Sequence, residues 1–199
     1  TAIHISDDFK AHITGYSTFS GDYPVTANAF QSSHRGKYDT FIGVLSSTGE
    51  NLFYSTLLGG SSDDFSQDIH VSSDGKIYIT GITHSVNFPV SGSAFQTSLK
   101  DETADNSGSD AFVAALYPGE SSLALSTYIG GDYEDASYSV CLDDVQNIII
   151  TGQTASENFP VTPNVFDTNY NKSDPDFGRG DIFLTKLNPS AEGLVFSTY

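Results

Sequence analysis

Asp110-Ala111-Phe112-Val113-Ala114-Ala115-Leu116-Tyr117-Pro118-Gly119, followed closely by Leu123-Ala124-Leu125-Ser126-Thr127-Tyr128-Ile129-Gly130-Gly131, is the stretch from which the fold can be read. Two short apolar runs flank a Pro-Gly turn, and a double glycine closes the second. Runs this short, bounded by turn residues, read as a pair of antiparallel strands. Both ends of the stretch recur. Asp-x-Phe stands at Asp39-Phe41, Asp110-Phe112 and Asp181-Phe183, and Ser-Thr-Leu/Tyr at Ser55-Thr56-Leu57, Ser126-Thr127-Tyr128 and Ser197-Thr198-Tyr199, each spaced by 71 residues. Ile-Thr-Gly appears at Ile13-Thr14-Gly15, Ile79-Thr80-Gly81 and Ile150-Thr151-Gly152. An aromatic-Pro-Val step follows each, at Tyr23-Pro24-Val25, Phe88-Pro89-Val90 and Phe159-Pro160-Val161. Four motifs in one order, three times over, define a repeat.

Each repeat reads as four strands. The first covers Ala2 to Ser6, Asp68 to Ser72, or Ser139 to Asp143, where Ile3/Ile5, Ile69/Val71 and Val140/Leu142 alternate with other residues. A turn rich in Asp and Gly follows. The second strand ends at Ile-Thr-Gly, the third is typified by Ala111 to Leu116, and the fourth by Leu123 to Thr127. The one helical candidate is a short turn around Ala29-Phe30, Ala94-Phe95 and Val165-Phe166. Strands apolar on both sides suit a sheet sandwiched between neighbours. A β-sandwich would keep one polar face, and a solenoid would repeat over fewer residues. The pattern therefore predicts an all-β chain: a β-propeller with three four-stranded antiparallel blades, at 1–60, 61–131 and 132–199.

Ser-Thr-Tyr-Ile-Gly-Gly, acidic residues, Ile-Thr-Gly, Phe-Pro-Val, Ala-Phe-Gln and Asp-Ala-Phe-Val-Ala, in that order, resemble the bacterial β-propeller repeat family SBBP in all three copies. The first copy departs in loop length, with 15 residues from Pro24 to Asp39 against 21 in the other two. The resemblance implies a large secreted or surface protein of bacteria, and it carries no catalytic residues over to this chain.

Propeller rings hold four to eight blades, so three blades predict two uncovered apolar faces. The expected covers are another copy of the chain, six blades in a dimer being the tidiest version, or further blades of a longer parent chain. The charge balance is 8 basic against 25 acidic side chains, net −17. Such a surface repels phosphate backbones and anionic lipid, which argues against nucleic acid as a partner. No apolar run approaches the length of a membrane span. Cys141 is the single cysteine, so no disulfide forms within the chain. The expected location is secreted or at the cell surface.

Strand order places the blade connectors and the long loops between second and third strands at one end of the disc. That end gathers Asp63, Asp64, Asp132, Glu134 and Asp135 from connectors, with Asp101, Glu102, Asp105, Asp174 and Asp176 from loops. Two readings stand: a solvated acidic rim facing a partner, or a calcium site at Asp132, Glu134 and Asp135, whose hard oxygens suit that ion. The spacing matches no known calcium loop. Asp39, Asp110 and Asp181 recur at one position and read as acceptors for loop amides. Gly59-Gly60 and Gly130-Gly131 read as connector turns with positive φ. His4, His70 and Cys141 share a repeat position on first strands, where they either pack or ligate a soft metal. His12 aligns with Tyr78 and Ile149, which makes it a strand residue. Arg179-Gly180-Asp181 matches the integrin tripeptide, but its Asp is the repeat's own.

Two functions follow. The first is a non-enzymatic extracellular module for binding, adhesion or self-assembly, whose loops face a glycan, a surface protein or another copy. The alternative is a polysaccharide hydrolase or lyase with an acidic central funnel. No Ser-His-Asp order or phosphate loop stands out, and the copies differ mostly in their loops, which favours binding.

Overall fold

The computed structural model describes residues 2–18, 23–100, 108–171 and 180–199. The described residues form twelve strands and no helix: β1 (Ala2–Ile5), β2 (Ala11–Thr18), β3 (Tyr38–Leu45), β4 (Leu52–Leu58), β5 (Asp64–Val71), β6 (Ile77–Thr83), β7 (Asp110–Leu116), β8 (Leu125–Ile129), β9 (Asp135–Leu142), β10 (Ile148–Thr154), β11 (Asp181–Leu187) and β12 (Leu194–Thr198). They make three separate antiparallel sheets of four strands, β1 to β4, β5 to β8 and β9 to β12, each in chain order. The sheets are blades of a β-propeller and are not closed into a ring. First strands lie against each other, β1 on β5 and β5 on β9, as wedges converging on an axis do.

Several strand boundaries differ from the sequence reading. β5 and β9 begin at Asp64 and Asp135 rather than Asp68 and Ser139. A bulge interrupts each strand, between Ser66 and Asp68 in β5 and opposite Thr151/Gly152 in β9. An extra residue there breaks the period of two, so alternation is visible only beyond it. The fourth strand of the second sheet likewise lies at Leu125–Ile129, two residues later than expected.

The repeated motifs bind one another. The Thr14, Thr80 and Thr151 hydroxyls of Ile-Thr-Gly donate to the carbonyls of Phe41, Phe112 and Phe183 at 2.7, 2.7 and 2.8 Å. The Thr56, Thr127 and Thr198 hydroxyls of Ser-Thr-x each accept a backbone N–H, from Gln31, Gln96 and Asp167, at 2.9 Å. Each long loop is thereby pinned across its own sheet.

The core lies between sheets. One cluster packs Ile42, Val44, Tyr54 and Leu58 of the first sheet against Ile69, Ile79, Phe112 and Tyr128 of the second. The other packs Tyr78, Val113 and Ile129, on the opposite face of the second sheet, against Val140, Ile150, Phe183 and Tyr199 of the third. The middle sheet is thus apolar on both faces for a physical reason. The outer faces of the end sheets carry equivalent residues with nothing over them: Ile3 is 64% exposed where its repeat counterpart Ile69 is 4% exposed. Ile182 is 74% exposed where its counterpart Ala111 is fully buried.

This pairing predicts unequal costs at one repeat position. Ile69→Ala should destabilise the chain by about 2–5 kcal/mol, the usual cost of truncating a packed aliphatic. Ile3→Ala in dilute solution should stay within about 0.5 kcal/mol, as exposed substitutions do. Urea denaturation of the two variants measures the difference, and equal costs would contradict the stacking.

Candidate functional site

Connectors and long loops meet at one end of the sheets, and they do so through paired side chains. In the connector after β4, the Ser61 amide donates to Asn87 Oδ1 at 2.8 Å and the Ser62 amide to Ser85 Oγ at 2.9 Å. The next connector repeats this with the Asp132 amide to Asn158 Oδ1 at 3.0 Å and the Tyr133 amide to Ser156 Oγ at 2.9 Å. Asp63 and Asp132 are half-buried here and Glu134 is exposed. Asp63 presents its carbonyl to the His84 amide at 3.0 Å. Asp101, Asp105, Asp174 and Asp176, expected on the same rim, lie outside the described residues, as does Glu102.

Asp64 and Asp135 do not belong to an exposed rim. Both are fully buried, because each turns inward to close its connector. Asp64 Oδ2 accepts from the Gly60 amide at 2.7 Å and Ser85 Oγ at 2.9 Å. Asp135 Oδ2 accepts from the Gly131 amide and Ser156 Oγ at the same two distances. Asp132 receives the Asn158 side-chain amide at 2.8 Å. The carboxylates expected to share a calcium ion therefore serve different partners. Among the described residues no three His, Cys, Asp or Glu side chains gather in metal-binding geometry.

Opposite each inward Asp stands a second buried carboxyl. Asp39 Oδ2 accepts from Gln31 Nε2 at 2.6 Å and the Arg35 amide at 2.9 Å, and its Oδ1 from the Gly36 amide at 3.0 Å. Asp110 Oδ2 accepts from Gln96 Nε2 at 2.5 Å and the Lys100 amide at 3.1 Å, whereas its buried Oδ1 has no partner. Asp181 accepts the Asn171 amide at 2.7 Å. These recurrent residues do hold loop amides.

The connector glycine separates the two carboxyls. A Cβ on Gly59 would lie 2.7 Å from Asp64 Oδ2 and 2.8 Å from Asp39 Oδ1; on Gly130 it would lie 2.7 Å from Asp135 Oδ2 and 2.3 Å from Asp110 Oδ1. None of the four connector glycines has a positive φ. Gly59 and Gly130 are glycines because two carboxyls fill the space a side chain needs, and Gly60 and Gly131 because Asn87 with Ser85 and Asn158 with Ser156 fill it, a different reason from the turn geometry expected.

Burial raises three of these acids: Asp64 to about 7, Asp110 to about 8 and Asp135 to about 6. The facing carboxylate adds to the shift, Asp39 on Asp64 and Asp135 on Asp110. Near neutral pH Asp110 thus keeps its proton beside Asp135. The accessible acids move the other way, Asp8 to about 2 beside Lys10, and Asp74 downward under hydrogen bonds from Ser72 and Tyr117.

His4 and His70 do meet, with ring centroids 5.2 Å apart and edge to face, while Cys141 is exposed on the third sheet. Burial lowers the pKa of His70 and of His12. A cleft of about 690 Å³ opens beside His4 and His12 between the first two sheets, at the end opposite the connectors. Sequence reasoning passed over it. Its one available signal was the smaller His12 at a position that is Tyr78 in the next copy. The inward pairing of Asp64 and Asp135 was also missed, although both acids stand 71 residues apart.

Residues 54–89 match the family model of SBBP, the beta-propeller repeat. The matched segment runs from the last strand of one sheet, through the Gly59-Gly60 connector, to Pro89 after β6. No curated protein matches the chain.

The raised acids set a pH dependence. Each binds more protons folded than unfolded, so its stabilisation is full below the unfolded value of 3.8 and disappears as pH climbs through the folded value. His12 and His70 act oppositely, and their contribution fades as pH rises above the free value of 6.5 and both imidazoles become neutral in both states. From pH 6.5 to 8 the chain should lose stability, approaching 1.4 kcal/mol per pH unit for Asp110, roughly. Asp110→Asn, which keeps a neutral side chain, should flatten that slope in thermal unfolding. Gly130→Ala should cost roughly 2 kcal/mol or more at any pH, because the new methyl overlaps both carboxyls.

Proposed function

We propose that this chain, which carries the SBBP β-propeller repeat, is a non-enzymatic module completed by blades of its own kind, working in binding or assembly at a bacterial surface. One observation carries the reading. Repeat positions that are sealed between sheets inside the chain are open at both ends of it. The first sheet presents Ile3 and Ile5, and the third presents Ile182 and Leu184. Exposed apolar patches of this continuity mark interaction surfaces.

The two end faces are different surfaces, one the equivalent of the middle sheet's first face and the other of its second. A face of one kind fits a face of the other kind, as the internal junctions show. Head-to-tail contact with further blades, of another copy or of a longer parent chain, either closes into a ring or extends as a fibre. The surface setting rests on the family resemblance and on the strongly acidic composition.

The distribution of acids supports binding over hydrolysis. A glycosidase needs an accessible carboxyl that holds its proton near neutral pH. The described acids whose pKa is raised, Asp64, Asp110 and Asp135, are fully buried and committed to the connectors. The exposed Asp8 is shifted downward, towards its ionised form.

Sedimentation velocity from about 1 to about 100 μM tests the assembly, a range in which standard-sized interfaces form. The chain should associate as concentration rises. Ile3→Asp and Ile182→Asp, on opposite faces, should each weaken association by at least about tenfold. A monomer at the highest concentration, or association indifferent to both substitutions, would overturn the reading.

A further inference from the structure

We propose that the cleft between the first two sheets binds a neutral, hydroxyl-rich ligand, a hexose unit of a glycan. The inference adds to the module reading a site at the end of the disc opposite the connectors, away from the apolar end faces. The cleft, at about 690 Å³, lies within the size range of small-molecule sites. Its walls include His4, His12, Phe53, Tyr54, Asp74 and Tyr117.

His12 offers the cleft a bare acceptor. Ser6 Oγ donates to Asp8 Oδ1 at 2.6 Å, so it receives the 3.0 Å contact from His12 Nε2, which therefore carries the ring proton. His12 is 4% exposed, and its Nδ1 has no partner. A neutral imidazole in this tautomer leaves Nδ1 as a lone pair needing a donor, and an unmet buried acceptor is costly. A ligand hydroxyl supplies the donor. The chain Asp8–Ser6–His12 has its serine in the middle, so it is no hydrolytic triad, in which histidine bridges the other two.

Asp8 is paired with Lys10 at 2.5 Å. Asp74 accepts from the Tyr117 hydroxyl at 2.7 Å, and the Lys76 ammonium stands 5.3 Å from the Tyr117 ring centroid. Of the three acids that line the cleft, Asp8 is thus paired with Lys10 and Asp74 is held by the Tyr117 hydroxyl, while Asp7 is exposed at its rim. Anions are repelled by the chain as a whole, with net charge −17, and a cation meets Lys10 in the wall.

Phe53 is 54% exposed in the cleft wall, and Lys10 Nζ stands 5.2 Å from its ring centroid. Next to Lys10 in sequence, Phe9 is 74% exposed at φ 61, in a turn where the next copy has Gly75 at φ 86. A bulky side chain in that conformation costs of order 1 kcal/mol. Exposed rings beside hydrogen-bonding groups suit the apolar C–H face and polar rim of a pyranose. At the second junction the phenol of Tyr78, 1% exposed, occupies the place of His12 and joins the core.

Calorimetric titration with cellobiose and N,N′-diacetylchitobiose tests the site, with spermidine and digalacturonate as charged comparisons. At least one neutral sugar should bind with a Kd near or below about 1 mM. Phe53→Ala should weaken it by at least about tenfold, as loss of a principal contact does. His12→Tyr, which installs the residue of the next copy, should do the same with the unfolding temperature retained. No binding of either neutral sugar, binding untouched by both substitutions, or a preference for spermidine or digalacturonate would each overturn the proposal. Ile3→Asp and Ile182→Asp should leave sugar affinity unchanged, so failure here is distinct from failure of the assembly reading.

Discussion

Face-to-face packing of apolar sheets is the interaction on which the rest depends. Within one four-stranded sheet the backbone hydrogen bonds are satisfied, yet both faces remain apolar, so the sheet is stable only when covered. The middle sheet meets that condition on both sides, with Ile79 and Phe112 turned one way and Tyr78 and Val113 the other. The end sheets meet it on one side each. The proposed assembly draws on the same chemistry that builds the interior.

The buried carboxyl pairs are the second constraint, and they act at the joints rather than in the sheets. A connector must cross from the outer strand of one blade to the inner strand of the next, exposing amides as it goes. Asp64 and Asp135 take up the Gly60 and Gly131 amides, and Gln31 and Gln96 take up those of Gly59 and Gly130 at 3.1 Å. Placing two carboxyls around one glycine makes the joint compact but sensitive to protonation. The family match begins in one sheet and ends after the second strand of the next, so its repeat carries the joint whole.

Most of the architecture was legible in the sequence because sheet repeats leave periodic marks. The Ile-Thr-Gly threonines and the Asp-x-Phe phenylalanines could be counted before it was known that one bonds the other's carbonyl. The bulges in β5 and β9 were not legible, since the inserted Gln67 and Tyr138 are neither glycine nor proline, and the glycines that accommodate them, Gly81 and Gly152, stand on the partner strands. Asp64 and Asp135 were read as rim acids because burial of a short carboxylate depends on a cage built by Ser85, Thr83 or Ser156 from a distant loop. The cleft was invisible for a similar reason. It arises from what His12 fails to fill, and an absence of volume has no motif.

Amide hydrogen exchange tests the stacking most directly. The account predicts that β6 and β7 of the middle sheet exchange slowest, and that β1 and β11 gain protection as protein concentration rises and their open faces are covered. Equal protection in all three sheets, unchanged by concentration, would contradict it.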